Sequence, residues 1–146
     1  MAMRRHIVKD WMTANPVTIC PNTTLPEANS LMKECGVRRL PVVDNGLLVG
    51  IVTLGDIREA SPSSATTLSI YELNYLISRL TVAEIMTRDP IAVSADTSVG
   101  AAARLMLEHK IGGLPVVDGT RVVGIITESD IFRLLVSESE LRQTFA

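Results

Sequence analysis

Aromatic residues are scarce: Phe, Trp and Tyr make up only 3% of the 146-residue chain, so a stacking platform for single-stranded bases has little to be built from. Charge of one sign is also lacking. Fourteen Lys and Arg stand against sixteen Asp and Glu, a formal net charge of −2. That balance gives no general field for capturing nucleic acid or an anionic membrane, and no DNA partner is expected. There are two cysteines and two histidines. Cys20 and Cys35 fit neither a CxxC nor a zinc spacing, and His6 and His109 complete no cluster, so no metal site is expected. Both thiols read as small core residues. No Ser/His/Asp set or paired carboxylate stands near Glu27, Glu34 or Glu108 in sequence, and no catalytic residue is assigned. Apolar runs are short; Leu47 to Val52, interrupted by Gly50, cannot cross a bilayer. The start, Met1 to His6, lacks the apolar stretch of a signal peptide. The expectation is a cytoplasmic chain without a membrane segment. What the chain does have is apolar content, 47% against 21% charged residues, enough for a folded core without disulfide or metal support.

It also has a repeat. Val8-Lys9-Asp10-Trp11-Met12-Thr13 returns as Val82-Ala83-Glu84-Ile85-Met86-Thr87, and the offset of 74 residues carries on without a gap to Ala60 and Leu134. Leu40-Pro41-Val42-Val43-Asp44 falls on Leu114-Pro115-Val116-Val117-Asp118. Val49-Gly50-Ile51-Val52-Thr53 falls on Val123-Gly124-Ile125-Ile126-Thr127, and Asp56-Ile57 on Asp130-Ile131. Such periodicity marks a tandem architecture. The boundaries read as repeat 1 at 8–60, a linker with an amphipathic helix at 61–81, repeat 2 at 82–135 and a tail at 136–146.

Each repeat reads as β-α-β-β-α, an α/β (α+β) unit. A short strand is expected at Val17 to Ile19 and at Ile91 to Val93. Thr24-Leu25-Pro26-Glu27 has the composition of a helix start: a Thr cap, an early Pro and Glu three residues on. Ala28, Leu31, Met32 and Cys35 continue at helical spacing to Gly36. Leu40 to Val43 and Leu48 to Val52 are apolar at every position, as strands covered on both faces would be. Asp44-Asn45-Gly46 between them signals a hairpin; repeat 2 uses Asp118-Gly119-Thr120-Arg121. A last helix opens after Thr53 and after Thr127. In the linker, Ile70, Leu73, Leu76, Ile77 and Leu80 form one helical stripe, with Tyr71 and Tyr75 beside it, so it is expected to pack, either over its own repeats or against a partner. Thr81-Val82-Ala83-Glu84 reads as a further capping box.

Met-Thr-x-x-Pro, a helix, Leu-Pro-Val-Val-Asp and then Gly-Ile-Val/Ile-Thr-x-x-Asp, all present twice, resemble the CBS domain, and two in tandem resemble a Bateman module. The linker, with Tyr71-Glu72-Leu73-Asn74-Tyr75-Leu76, is similar to that of stand-alone bacterial CBS-pair proteins of the acetoin-utilisation type. The resemblance implies two repeats packed with pseudo-twofold symmetry, clefts between them for AMP, ADP, ATP or S-adenosylmethionine, a disc-like homodimer, and regulation of a partner protein that the sequence does not name. No cofactor beyond that regulatory ligand is implied.

The sharpest candidate residues are Thr53 with Asp56 and Thr127 with Asp130. A carboxylate can accept from both vicinal hydroxyls of a ribose. Thr-x-x-Asp also describes a Thr cap with an acid at N3, and the two roles are compatible. Arg38 and Arg39 precede a strand whose successive residues face opposite ways, so one of them points toward the cleft mouth, where a guanidinium suits phosphate; the other reading is two solvated side chains. Repeat 2 has Gly112 and Gly113 there, which makes the two sites unequal. The resemblance further groups Thr127 and Asp130 with Thr13, Thr18, Val37 and Pro41, and Thr53 and Asp56 with Thr87, Ala92, Ile111 and Pro115. Taken singly, Val37, Ile111 and the prolines also suit a core. His109, Glu34 and Glu108 read as ordinary helix surface. Two other functions are compatible with the chain: a nucleotide-hydrolysing enzyme, or a structural or RNA-binding adaptor with vestigial clefts.

Overall fold

The computed structural model describes residues 6–61 and 68–145. In chain order the elements are α1 (Val8–Trp11), β1 (Thr13–Ala14), α2 (Leu25–Cys35), β2 (Arg39–Asp44), β3 (Leu47–Thr53), α3 (Leu54–Ala60), α4 (Ile70–Arg79), α5 (Val82–Ile85), β4 (Thr87–Arg88), β5 (Val93–Ser94), α6 (Val99–His109), β6 (Gly113–Asp118), β7 (Arg121–Thr127) and α7 (Glu128–Phe145). They form two compact units, Val17–Pro90 and a second made of Met1–Pro16 with Ile91–Ala146.

In the Val17–Pro90 unit, α2 starts as its sequence dictates. Thr24 accepts from the Glu27 N–H, Glu27 accepts from the Thr24 N–H, and Pro26 lies in the first turn, where its missing N–H costs nothing. Gly36 ends the helix in the left-handed region at φ 64°. β2 and β3 form an antiparallel hairpin across Asn45 and Gly46, both at positive φ, which matches the right-handed twist of the strands. The sheet order is β2-β3-β4. Leu25, Ala28 and Met32 from one face of α2 meet Leu40, Val42, Val52 and Ile57 in the core. Each fully buried aliphatic side chain there contributes about 1.5–3 kcal/mol relative to exposure. The strand expected at Val17 to Ile19 is reduced to one parallel bridge, Ile19 to Val42; Pro21, two residues on, has no N–H with which to extend a ladder.

The second unit repeats the design. Its sheet order is β1-β7-β6-β5, with β5 parallel to β6. Val8, Val99, Ala102, Met106, Leu114, Val116 and Ile126 form its core.

The first segment of each repeat packs on the body of the other. The Val8 and Lys9 N–H groups donate to the Thr97 and Ala95 carbonyls, while Val82 and Ala83 donate to Thr23 and Pro21. β1 pairs with β7, Thr13 opposite Ile125, and β4 pairs with β3, Thr87 opposite Ile51. Two glycines make room. A Cβ on Gly124 would collide with the Met12 sulfur and stand 3.0 Å from the Thr13 carbonyl oxygen; one on Gly50 would meet the Met86 sulfur and stand 3.0 Å from the Thr87 oxygen. Met-Thr in one segment and Gly in the facing strand are therefore one packing device, used twice.

Two further expectations are corrected. Cys20 and Cys35 are exposed free thiols: Cys20 follows the bridged Ile19 and faces the opposite way, and Cys35 lies in the last turn of α2, past its final buried residue, Met32. Thr81 makes no side-chain cap; α5 is a single turn held by backbone bonds to the Pro21–Thr23 loop, and Thr81 is itself bridged to Thr24. The effective linker cap is Ser69, which forms a capping box with Glu72. α4 touches α2, yet none of its residues is buried.

Candidate functional site

The end of each long strand delivers a Thr directly into a helix. At the junction of β3 and α3, Thr53 Oγ1 accepts from the Asp56 N–H at 3.1 Å, and Asp56 Oδ2 accepts from the Thr53 N–H at 2.8 Å. This reciprocal box satisfies two backbone donors that would otherwise lack partners. The other carboxylate oxygen of Asp56 makes no protein hydrogen bond among the described residues. Asp56 is half-buried.

At the junction of β7 and α7 the arrangement differs. Asp130 Oδ2 accepts from the Thr127 N–H at 2.8 Å and from the Thr127 hydroxyl at 3.3 Å. Its Oδ1 is held by the Arg133 guanidinium. Asp130 is 3% exposed, the buried charged residue among those described. The position of Arg133 in repeat 1 is filled by Glu59, which has no cation to offer Asp56. Both Thr–Asp pairs thus serve as helix caps; the first leaves a carboxylate oxygen open and the second occupies both.

The residues around each pair are placed by register. Arg39 lies opposite Thr53 and Gly113 opposite Thr127. The carbonyls of Arg38 and Gly112 accept from the first N–H of α3 and α7 respectively. Pro41 pairs with Ile51, and Pro115 with Ile125; both prolines are fully buried. Thr13 joins the unit of Thr127 and Asp130 through β1, and Thr87 joins that of Thr53 and Asp56 through β4. Both are exposed. Thr18, Val37, Arg38 and Pro41 belong to the Val17–Pro90 unit, whereas Ala92, Ile111, Gly112 and Pro115 belong to the second. Val37 is exposed, Ala92 and Ile111 half-buried. Arg133 was missed by sequence reasoning; an acid followed by Arg three residues on in a helix was the available signal.

The CBS domain family model matches residues 8–63 and again 82–137. The chain belongs to the CBS domain family. It is similar to the acetoin utilization protein AcuB from Vibrio cholerae, described there as putative, with 34% identity, a TM-score of 0.77 and coverage of 96% of this chain and 97% of that one. The CBS pair of protein MJ0100, in complex with 5′-methylthioadenosine and S-adenosyl-L-methionine, is 35% identical with a TM-score of 0.77, over 92% and 98% of the two chains. CBSX2 of Arabidopsis thaliana in complex with AMP is 34% identical, again at 0.77, over 92% and 99%. CBS pairs also lie within longer proteins: this chain spans 23% of the L-aspartate semialdehyde sulfurtransferase of Methanocaldococcus jannaschii at 37% identity over 130 residues. Among the described residues no helix is long and apolar enough to cross a membrane.

Proposed function

We propose that this CBS pair is a non-catalytic regulatory module of the cytoplasm that binds an adenosine-containing ligand (AMP, ADP, ATP or S-adenosylmethionine) through its two Thr–Asp pairs. One observation carries the reading. An Asp carboxylate that accepts from the N–H of the Thr three residues earlier recurs at the same strand–helix junction in both repeats, in a chain about one-third identical to proteins whose structures hold AMP or S-adenosyl-L-methionine.

At Asp56 the box leaves one carboxylate oxygen for a ribose hydroxyl while the other keeps its cap bond. At Asp130 a ribose has to displace Arg133. Arg39, opposite Thr53, is the phosphate-seeking group of repeat 1, and Gly112 and Gly113 leave repeat 2 without a side-chain counterpart. Thr13, on β1 beside β7, lies in the unit of Asp130, and Thr87, on β4 beside β3, lies in that of Asp56.

The partner of the module is first a second copy of itself. α4 exposes Ile70, Tyr71, Tyr75 and Leu76, an apolar surface on a ten-residue helix with no buried side chain. Sedimentation at tens of micromolar tests this: a dimer supports it and a monomer, with and without ligand, contradicts it. Titration of the purified chain with the four ligands tests the main reading. Saturable binding of at least one supports it, binding of none removes it, and ATP turnover removes the non-catalytic part.

A further inference from the structure

Arg38 and Arg39 part company at the start of β2. Arg39 enters the strand opposite Thr53, whereas Arg38 lines a depression of about 560 Å³ bounded by α2 and α3. Lys33 and Arg58 line the same depression, and the buried side chains of Met32 and Ile57 give it an apolar base. Among the described residues no Asp or Glu lines it. Among the described residues none of these three cations is in an ion pair or a side-chain hydrogen bond. Three unneutralised positive charges therefore meet on one concave surface of a chain whose formal net charge is −2. The second repeat has no such charge: Leu107, Gly112 and Phe132 stand at the positions of Lys33, Arg38 and Arg58. The cations thus belong to this unit and are not imposed by the repeat.

We propose that this depression binds a small phosphate ester with an apolar body. Two guanidinium forks and an ammonium suit a doubly charged phosphate, because each fork can donate two parallel hydrogen bonds. Met32 and Ile57 offer the apolar body a dry contact. The volume is that of a small-molecule site, too small for a macromolecular face. Thr53 and Asp56 do not line it, so the site is separate from the ribose-binding pairs and requires no adenosine.

Calorimetry on the full chain with phenyl phosphate, inorganic phosphate and phenol tests the proposal. Phenyl phosphate should bind more tightly than inorganic phosphate, phenol should give no saturable signal, and the affinity for the ester should fall with added salt. Lys33→Gln combined with Arg58→Gln should weaken the ester at least about tenfold, while Asp56→Ala and Asp130→Ala should leave it unchanged. The salt titration uses the parent chain and does not depend on how the variants fold. The proposal is overturned if the parent binds no phenyl phosphate at millimolar concentration, if binding is insensitive to salt, or if the Lys33/Arg58 double variant binds like the parent. Loss of the ester on Asp56→Ala would place it in the ribose site and also overturn the proposal, whereas loss of adenosyl ligands alone would leave it standing.

Discussion

Arg133 closes on Asp130 from one turn further along α7, and this ion pair distinguishes the two repeats at one of the two carboxylates proposed to bind ribose. Asp130 is nearly fully buried, while the Arg133 side chain is 65% exposed. Removing the cation leaves a buried carboxylate short of one partner, which costs about 1–3 kcal/mol. Arg133→Ala should therefore lower the thermal midpoint. It should also raise affinity at the repeat 2 site, because the ligand no longer displaces a guanidinium. Calorimetry beside a thermal melt measures both; weaker binding at that site would contradict the displacement.

Met12 against Gly124 and Met86 against Gly50 predict that neither glycine tolerates a side chain. The long Met side chains can yield, but the Thr13 and Thr87 carbonyl oxygens, 3.0 Å from the added Cβ, are backbone. Gly124→Ala should destabilise by about 1–3 kcal/mol, the usual cost of overpacking. The cost should fall only in part when combined with Met12→Ala. Chemical denaturation of the two single variants and the double variant measures this.

Lys110 ends α6 in the left-handed region at φ 54°, where repeat 1 has Gly36. Left-handed geometry costs a non-glycine residue about 1–2 kcal/mol, and the extra freedom of glycine in the unfolded chain takes back about 0.4–1. Lys110→Gly should therefore stabilise the protein by up to about 1 kcal/mol, read as a rise in thermal midpoint. A fall would mean that the lysine side chain contributes more than its backbone strain costs.

Much of the fold was legible in the residues. Thr24, Pro26 and Glu27 start α2, Asn45-Gly46 turns the hairpin, and the continuous apolar runs become β2, β3, β6 and β7. The reciprocal docking of α1–β1 and α5–β4 was not legible, because a repeat offset states which segments are alike and is unchanged when like segments exchange places. The exposure of Cys20 and Cys35 escaped for a different reason: at strand and helix ends the side-chain period no longer decides which face is covered. At the site, the Thr–Asp pairs were readable from spacing alone, although only Thr53 and Asp56 close a reciprocal box. The open oxygen on Asp56 and the occupied one on Asp130 depend on whether Glu59 or Arg133 stands three residues on, a contrast that the helical spacing of the residues signals and the contact in α7 makes definite.

Arg39 beside Thr53 predicts a charge-selective first site. Arg39→Ala should lower affinity for ATP more than for adenosine and flatten the salt dependence of ATP binding, since the lost contact is charge-assisted and screened by salt. Titrations of both ligands at two ionic strengths check this. Equal losses for the two would indicate a distorted site.

The central claim is that the two Thr–Asp pairs are ribose-binding groups as well as helix caps, and calorimetry of AMP, ADP, ATP and S-adenosylmethionine against the parent chain, Asp56→Ala and Asp130→Ala tests it most directly. At least one ligand should bind the parent, and each substitution should weaken a separate site by about 10- to 150-fold, the loss of one charged hydrogen-bonding partner, with circular dichroism unchanged. If both folded variants bind all four ligands as the parent does, the two carboxylates are caps alone and the account is wrong.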